Sequence, residues 1–203
     1  MKTQKTDRRS QRTQRLVGNA LISLMREKRY DHITVQDILD RADIGRATFY
    51  EHYFDKDDLL ASELERVVDL LDQHNAPSGQ NGTVFLPGRG FFEHVYEQYP
   101  LYQALLRGKG LDSATQALQN HLRTQVKHGL REIKGVPDDL VTPVAAFIVG
   151  TFITLLQWWL ETELAWSPER MDALFRDLVL PGVQRLLFQD DQAGENMSSS
   201  HIK

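Results

Sequence analysis

Between Arg46 and Lys56 the chain carries a guanidinium, a hydroxyl, a phenol, an imidazole and an ammonium, on Arg46, Thr48, Tyr50, His52 and Lys56. All five side chains can donate hydrogen bonds. Such a set suits phosphate oxygens and the acceptor edges of bases. Arg46 can read a guanine edge or hold a phosphate. Thr48 can do either, and its methyl suits thymine. Tyr50 and His52 carry donors suited to phosphate. Lys56 falls in the opening turn of a helix, where unpaired N–H groups add to its charge. Thr34 can offer its hydroxyl in the same way.

These groups need a rigid support. Phe49, Tyr53 and Phe54 recur at i, i+4 and i+5, which predicts one core-facing helical stripe beneath them. Ahead of it, Thr34 with Asp37 three residues on is an acidic version of the capping box. Val35, Ile38, Leu39 and Ala42 then mark one face of a short helix. The stretch "ADIG" is a tight turn, and the next short helix starts near Arg46. Asp55 caps a fourth helix that persists to about His74. Before all of these, Leu16, Val17, Ala20, Leu21, Leu24 and Met25 predict a first helix over 9–28, behind a mobile basic arm over 1–8. Two short helices joined by a tight turn, behind a longer one, are the parts of a helix-turn-helix, whose second short helix enters the major groove.

Charge points the same way. Residues 1–30 hold nine Lys and Arg against Asp7 and Glu27, a balance of +7. The remaining 15 basic and 26 acidic residues give −11, and the whole chain −4. A basic head on an acidic body suggests that the head meets a polyanion. Lys2, Lys5, Arg8, Arg9 and Arg12 would reach a minor groove or nearby phosphates, or else form a solvated tail.

The residues that follow the first helix match a known pattern. Thr34, Ile38, Ala42, Ile44, Ala47, Thr48, Phe49, Tyr50, His52, Tyr53, Lys56, Asp57 and Leu59 stand where the TetR-type transcriptional regulators carry the same or similar residues. The chain resembles that family over roughly 9–72. Asp43 stands where glycine is usual, which predicts a left-handed backbone there. Gly45 stands where a capping serine is usual. The resemblance implies an all-α protein with DNA contacts at Thr34, Arg46, Ala47, Thr48, Tyr50, His52 and Lys56. It divides the chain into a DNA-binding domain over 9–56 and a helical dimerisation and ligand-binding domain over 57–188, with a disordered tail over 189–203. The function expected is a cytoplasmic, homodimeric repressor on a palindromic DNA operator, released by an effector. The alternative is a regulator that acts through a protein partner.

The second half reads as helices over 91–98, 100–107, 111–133, 139–163 and 168–188, after a Pro- and Gly-rich loop at 75–90. Ser167 caps the last helix and Pro168 opens it. The helix over 139–163 is apolar nearly all round, as in a helix buried on both sides. Its most apolar part, Val144 to Leu160, is broken by Gly150, Thr151, Thr154 and Gln157, so a buried helix is expected rather than a membrane span. Paired with 168–188 across a twofold axis it would form the dimer interface, with Gly150, Leu155 and Leu178 in contact. Phe92, Tyr96, Tyr99, Tyr102 and Trp158 would line a pocket for a small apolar or aromatic effector; the competing assignment is plain core.

Catalysis and cofactors have no such support. There is no cysteine, and no nucleophile elbow, phosphate loop or zinc-protease pattern. His121 with His128, and His94 with Glu97, do not make metal sets. Neither an enzyme, a metal nor a cofactor is expected.

Overall fold

The computed structural model describes residues 2–74, 88–106 and 110–188. Among them the regular elements are nine α-helices and one 3₁₀ turn, with no strand. In order they are α1 (Lys2–Glu27), the turn Tyr30–His32, α2 (Val35–Ala42), α3 (Arg46–Tyr50) and α4 (Lys56–His74). Then come α5 (Arg89–Glu97), α6 (Tyr99–Leu106), α7 (Gly110–Glu132), α8 (Asp138–Glu161) and α9 (Pro168–Phe188). The expected all-α architecture holds. The tail over 189–203 and most of the loop over 75–90 lie outside the described residues.

One boundary differs by more than two residues. The first helix begins at Lys2 rather than Arg9, so residues 2–8 continue α1. No apolar stripe marks that segment, which is why periodicity stops short of it. Lys2, Gln4, Lys5 and Arg8 are good helix formers, and no Pro or Gly interrupts the segment.

The chain divides into two compact units, Met1–Leu71 with His94–Leu118, and Asp72–Glu93 with Gln119–Lys203. In the first, α1 packs on α2, and Val17, Leu21 and Leu24 of α1, Ile38 and Leu39 of α2, Phe49 and Leu59 are all buried. Arg41 of α2 holds Glu27 of α1 through two parallel bonds of 2.8 and 2.7 Å. Gly18 lies so close to the Glu63 carboxylate that a Cβ there would overlap it. That carboxylate is itself buried and pairs with Arg66.

The second unit is built around a cluster of rings that meet edge to face or tilted. Phe152 of α8 meets Phe91, Phe92 and Phe175 at centroid distances of 5.1, 5.4 and 5.4 Å. Trp159 adds an edge contact to Phe92 at 5.6 Å. Its indole N–H donates to the Trp166 carbonyl at 2.9 Å, which ties the α8–α9 corner. That corner holds two left-handed residues, Glu163 and Leu164. Ser167 caps α9 as expected, accepting from Arg170 N–H at 3.3 Å.

By length and composition alone α8 is apolar enough to cross a membrane. Its inner stripe, including Val144, Ala145, Ile148 and Phe152, is buried, while Phe147 and Trp158 are exposed. On α9, Met171, Phe175, Val179 and Val183 are buried at four-residue spacing, and Leu178 and Leu186 lie exposed on another face.

Candidate nucleic-acid interface

The geometry starts at Thr34. Its hydroxyl accepts from Asp37 N–H at 3.1 Å, and its N–H donates to the Asp37 carboxylate at 2.7 Å. This is the expected capping box. The hydroxyl hydrogen also goes to that carboxylate, at 2.7 Å. Both donors of Thr34 therefore serve the cap, and in this arrangement neither points to a phosphate. Bonds from the Thr34 side chain and backbone, then the Lys28 ammonium at 2.9 Å, hold the Asp37 carboxyl well below the usual carboxylate range.

Helix α2 ends at Asp43, which has φ 52° and ψ 52°. The left-handed turn expected there is present. It lets the N–H groups of Asp43 and Ile44 both return to the Leu39 carbonyl, closing the helix. Gly45 then caps α3 with an extended backbone and no side-chain bond. A Cβ at Gly45 would meet nothing within 4 Å beyond its chain neighbours.

Helix α3 is anchored by one side chain. Phe49 is wholly buried, with Tyr50 and Tyr53 rings at 5.4 and 5.6 Å. Around it Arg46, Ala47 and Tyr50 are exposed, and Thr48 and His52 are partly so. These are five of the seven expected contact residues, and they share one short segment with its back fixed to the core. Arg46 is additionally held: its guanidinium donates to the Gln36 side-chain oxygen at 3.1 Å. Gln36 donates in turn to Asp40 at 2.8 Å. Gln36 is exposed beside Arg46, and sequence reading missed it. No local signal links two polar side chains on separate helices.

Two residues lie elsewhere than expected. Phe54 is 84% exposed and is not part of the core stripe. Helix α3 ends at Tyr50, so the i+5 position no longer follows helical geometry and turns outward. Lys56 faces inward: its ammonium donates to the carbonyls of Tyr30 and Ile33 at 3.0 and 2.9 Å. It also lies 4.5 Å from the centre of the Tyr30 ring. The Tyr30 hydroxyl completes the clasp by donating to the Lys56 carbonyl and the Asp57 carboxylate. Burial, then the Asp57 bond, pushes that phenol far above its ordinary pKa. Asp55 caps α4 as expected, accepting from Asp57 and Asp58 N–H groups at 2.8 Å each.

The residues expected to line a pocket fall in different settings. Phe92 is in the ring cluster of the second unit. Tyr102 is buried in the first unit with its ring against His94 at 6.2 Å. Burial lowers the pKa of His94 and raises that of Tyr102. Tyr96 is exposed, Tyr99 half-buried, and Trp158 rests on Trp166 at 5.3 Å. Of the expected dimer contacts, Leu178 is exposed and Gly150 and Leu155 are partly so.

Comparison with known proteins agrees with this geometry. The profile of the bacterial regulatory proteins of the tetR family matches residues 19–62. That of a transcriptional regulator C-terminal region matches 89–180. The chain belongs to the TetR family. The match over 19–62, the span that holds α2 and α3, is to a DNA-binding helix-turn-helix, and the chain is a TetR-type transcriptional regulator. A relative, the uncharacterized HTH-type transcriptional regulator YxbF of Bacillus subtilis (strain 168), is 35% identical over 82 residues. That match covers 39% of this chain and only 22% of YxbF. A solved TetR transcriptional regulator from Streptococcus agalactiae 2603V is 28% identical, with a TM-score of 0.52, over 87% of this chain and 98% of that one. The dihydroxyacetone kinase operon activator DhaS, at 18% identity, shares the fold with a TM-score of 0.56 over 85% and 96% of the two chains.

Proposed function

We propose that this TetR-type regulator is a cytoplasmic homodimeric repressor of a palindromic operator, released by an effector. Residues 9–56 form the DNA-reading head, and 57–188 the dimerisation and effector part. The observation that carries the reading is α3 itself. Its buried Phe49 fixes the helix while Arg46, Ala47 and Tyr50 face solvent. Arg46 and Thr48 are the base readers in this account, and Tyr50 and His52 grip phosphate. Lys56 serves as the residue that fixes the turn ahead of α2.

The exposed apolar side chains of α8 and α9, chiefly Phe147, Trp158, Leu178 and Leu186, support the dimer. Helix faces of this kind bury apolar area when a second copy covers them. Twofold symmetry would then set two α3 helices about 34–36 Å apart, one turn of DNA. An effector that prefers a different separation weakens DNA binding by its differential affinity for the two states.

The test is selection of bound duplexes from a random pool. The reading expects an enriched site with two inverted halves. Recovery of a single, unsymmetrical half-site would contradict the dimer, and no enrichment would contradict sequence-specific binding.

A further inference from the structure

We propose that Phe54 is a DNA contact whose ring packs on the deoxyribose wall of the groove that α3 enters. This rests on the reading of α3 as the groove-entering helix. Phe54 is the most exposed large apolar side chain among the described residues, at 84%. It follows Tyr50 by four positions, and Tyr50 is itself 50% exposed. Lone exposed apolar residues are ordinary, but this one is held in place. Its neighbour Tyr53 is buried against Phe49, so that site in the core is filled. Its N–H donates to the Asp58 carboxylate at 2.8 Å. On the other side, Asp55 is fixed by its two capping bonds. The ring therefore projects from a backbone pinned at both ends.

The same bonds decide what the corner can offer DNA. The N–H groups of Phe54, Asp57 and Asp58 donate to carboxylates rather than to a phosphate. The Lys56 ammonium is turned to the carbonyls of Tyr30 and Ile33. Beside α3 this chain presents a phenyl ring to solvent. A phenyl ring matches the apolar face of a sugar, and its binding releases no counterions. Continuity with α3 selects DNA as the occupant rather than a protein.

The experiment uses the full chain and a fluorescein-labelled duplex recovered by selection, titrated over a range of salt, beside thermal melting. Phe54→Ala should raise Kd about tenfold, the loss of about 55 Å² of buried apolar surface summed over the two copies in the dimer. Its salt slope and Tm should match wild type. Phe54→Lys places a cation at the same spot, and should steepen the slope by about 0.9 for each phosphate it gains. Phe54→Ala binding like wild type, or Phe54→Lys with an unchanged slope, would overturn the contact while leaving the DNA reading intact. A wild type that enriched no duplex would overturn that reading, and this inference with it.

Discussion

The ammonium of Lys56 donates to the carbonyl of Ile33 at 2.9 Å, which joins the start of α4 to the residue just before the α2 cap. Together with its bond to the Tyr30 carbonyl at 3.0 Å, this fixes the segment from which Thr34 enters α2. Charge-assisted bonds of this kind are worth about 1.5–3 kcal/mol each when part-buried. Lys56→Ala should therefore destabilise the head by about 2 kcal/mol, after partial replacement by water. The fall in Tm should come with weaker DNA binding and an unchanged salt slope. A slope lowered by about 0.9 per lost contact would show that Lys56 holds phosphate instead.

Asp43 sits at φ 52° with no glycine to relieve it. Asp43→Gly should be neutral or slightly stabilising. Asp43→Val should cost about 1–3 kcal/mol, because a β-branched residue is strained at positive φ. DNA affinity should fall with it, since α2 and α3 are joined only through this turn. Melting beside DNA titration of both variants checks the pair.

Much of this arrangement was legible in the sequence. The Thr34–Asp37 box and the left-handed Asp43 are local: each depends on residues within a few positions. The long helices α7, α8 and α9 declare themselves by apolar period and by Gly and Pro at their ends. What was hidden depends on geometry beyond that range. Phe54 leaves the core because α3 stops at Tyr50, and the apolar period gave no sign of that stop. Lys56 turns inward because Tyr30 and Ile33, far back in the chain, present their carbonyls to it. Gln36 meets Arg46 only once Asp43 has turned the chain between them.

Asp37 makes stability depend on pH. Bonds from Thr34, and then Lys28, depress its folded-state pKa below the unfolded value of about 3.9. A carboxylate depressed in this way stabilises the fold above its unfolded pKa, and that contribution is lost as pH falls through the folded one. Asp37→Asn should melt lower than wild type near neutral pH. The gap should narrow below about pH 4, as wild type loses the same contribution. Melting curves across that range give the comparison.

Gly150 lies on α8 with no atom, apart from its own helix backbone, within 4 Å of where a Cβ would stand. Within one protomer a Cβ at Gly150 has room, and Gly150→Leu improves helix propensity by about 0.8 kcal/mol. If α8 faces a second copy there, the same side chain meets that copy. The variant should keep its helix content yet sediment as a monomer at micromolar concentration, with weaker binding to a twofold site. A stable dimer with wild-type DNA affinity would remove Gly150 from the interface.

The most direct test of the account is whether α3 reads base sequence. Duplexes recovered by selection would be changed one base pair at a time and titrated with wild type, Arg46→Ala and Thr48→Ala. Each variant should lose discrimination at particular base pairs, by about 1–3 kcal/mol for a good bidentate contact, and keep it elsewhere. Variants that weakened binding to every duplex alike, with discrimination intact at all positions, would contradict the account.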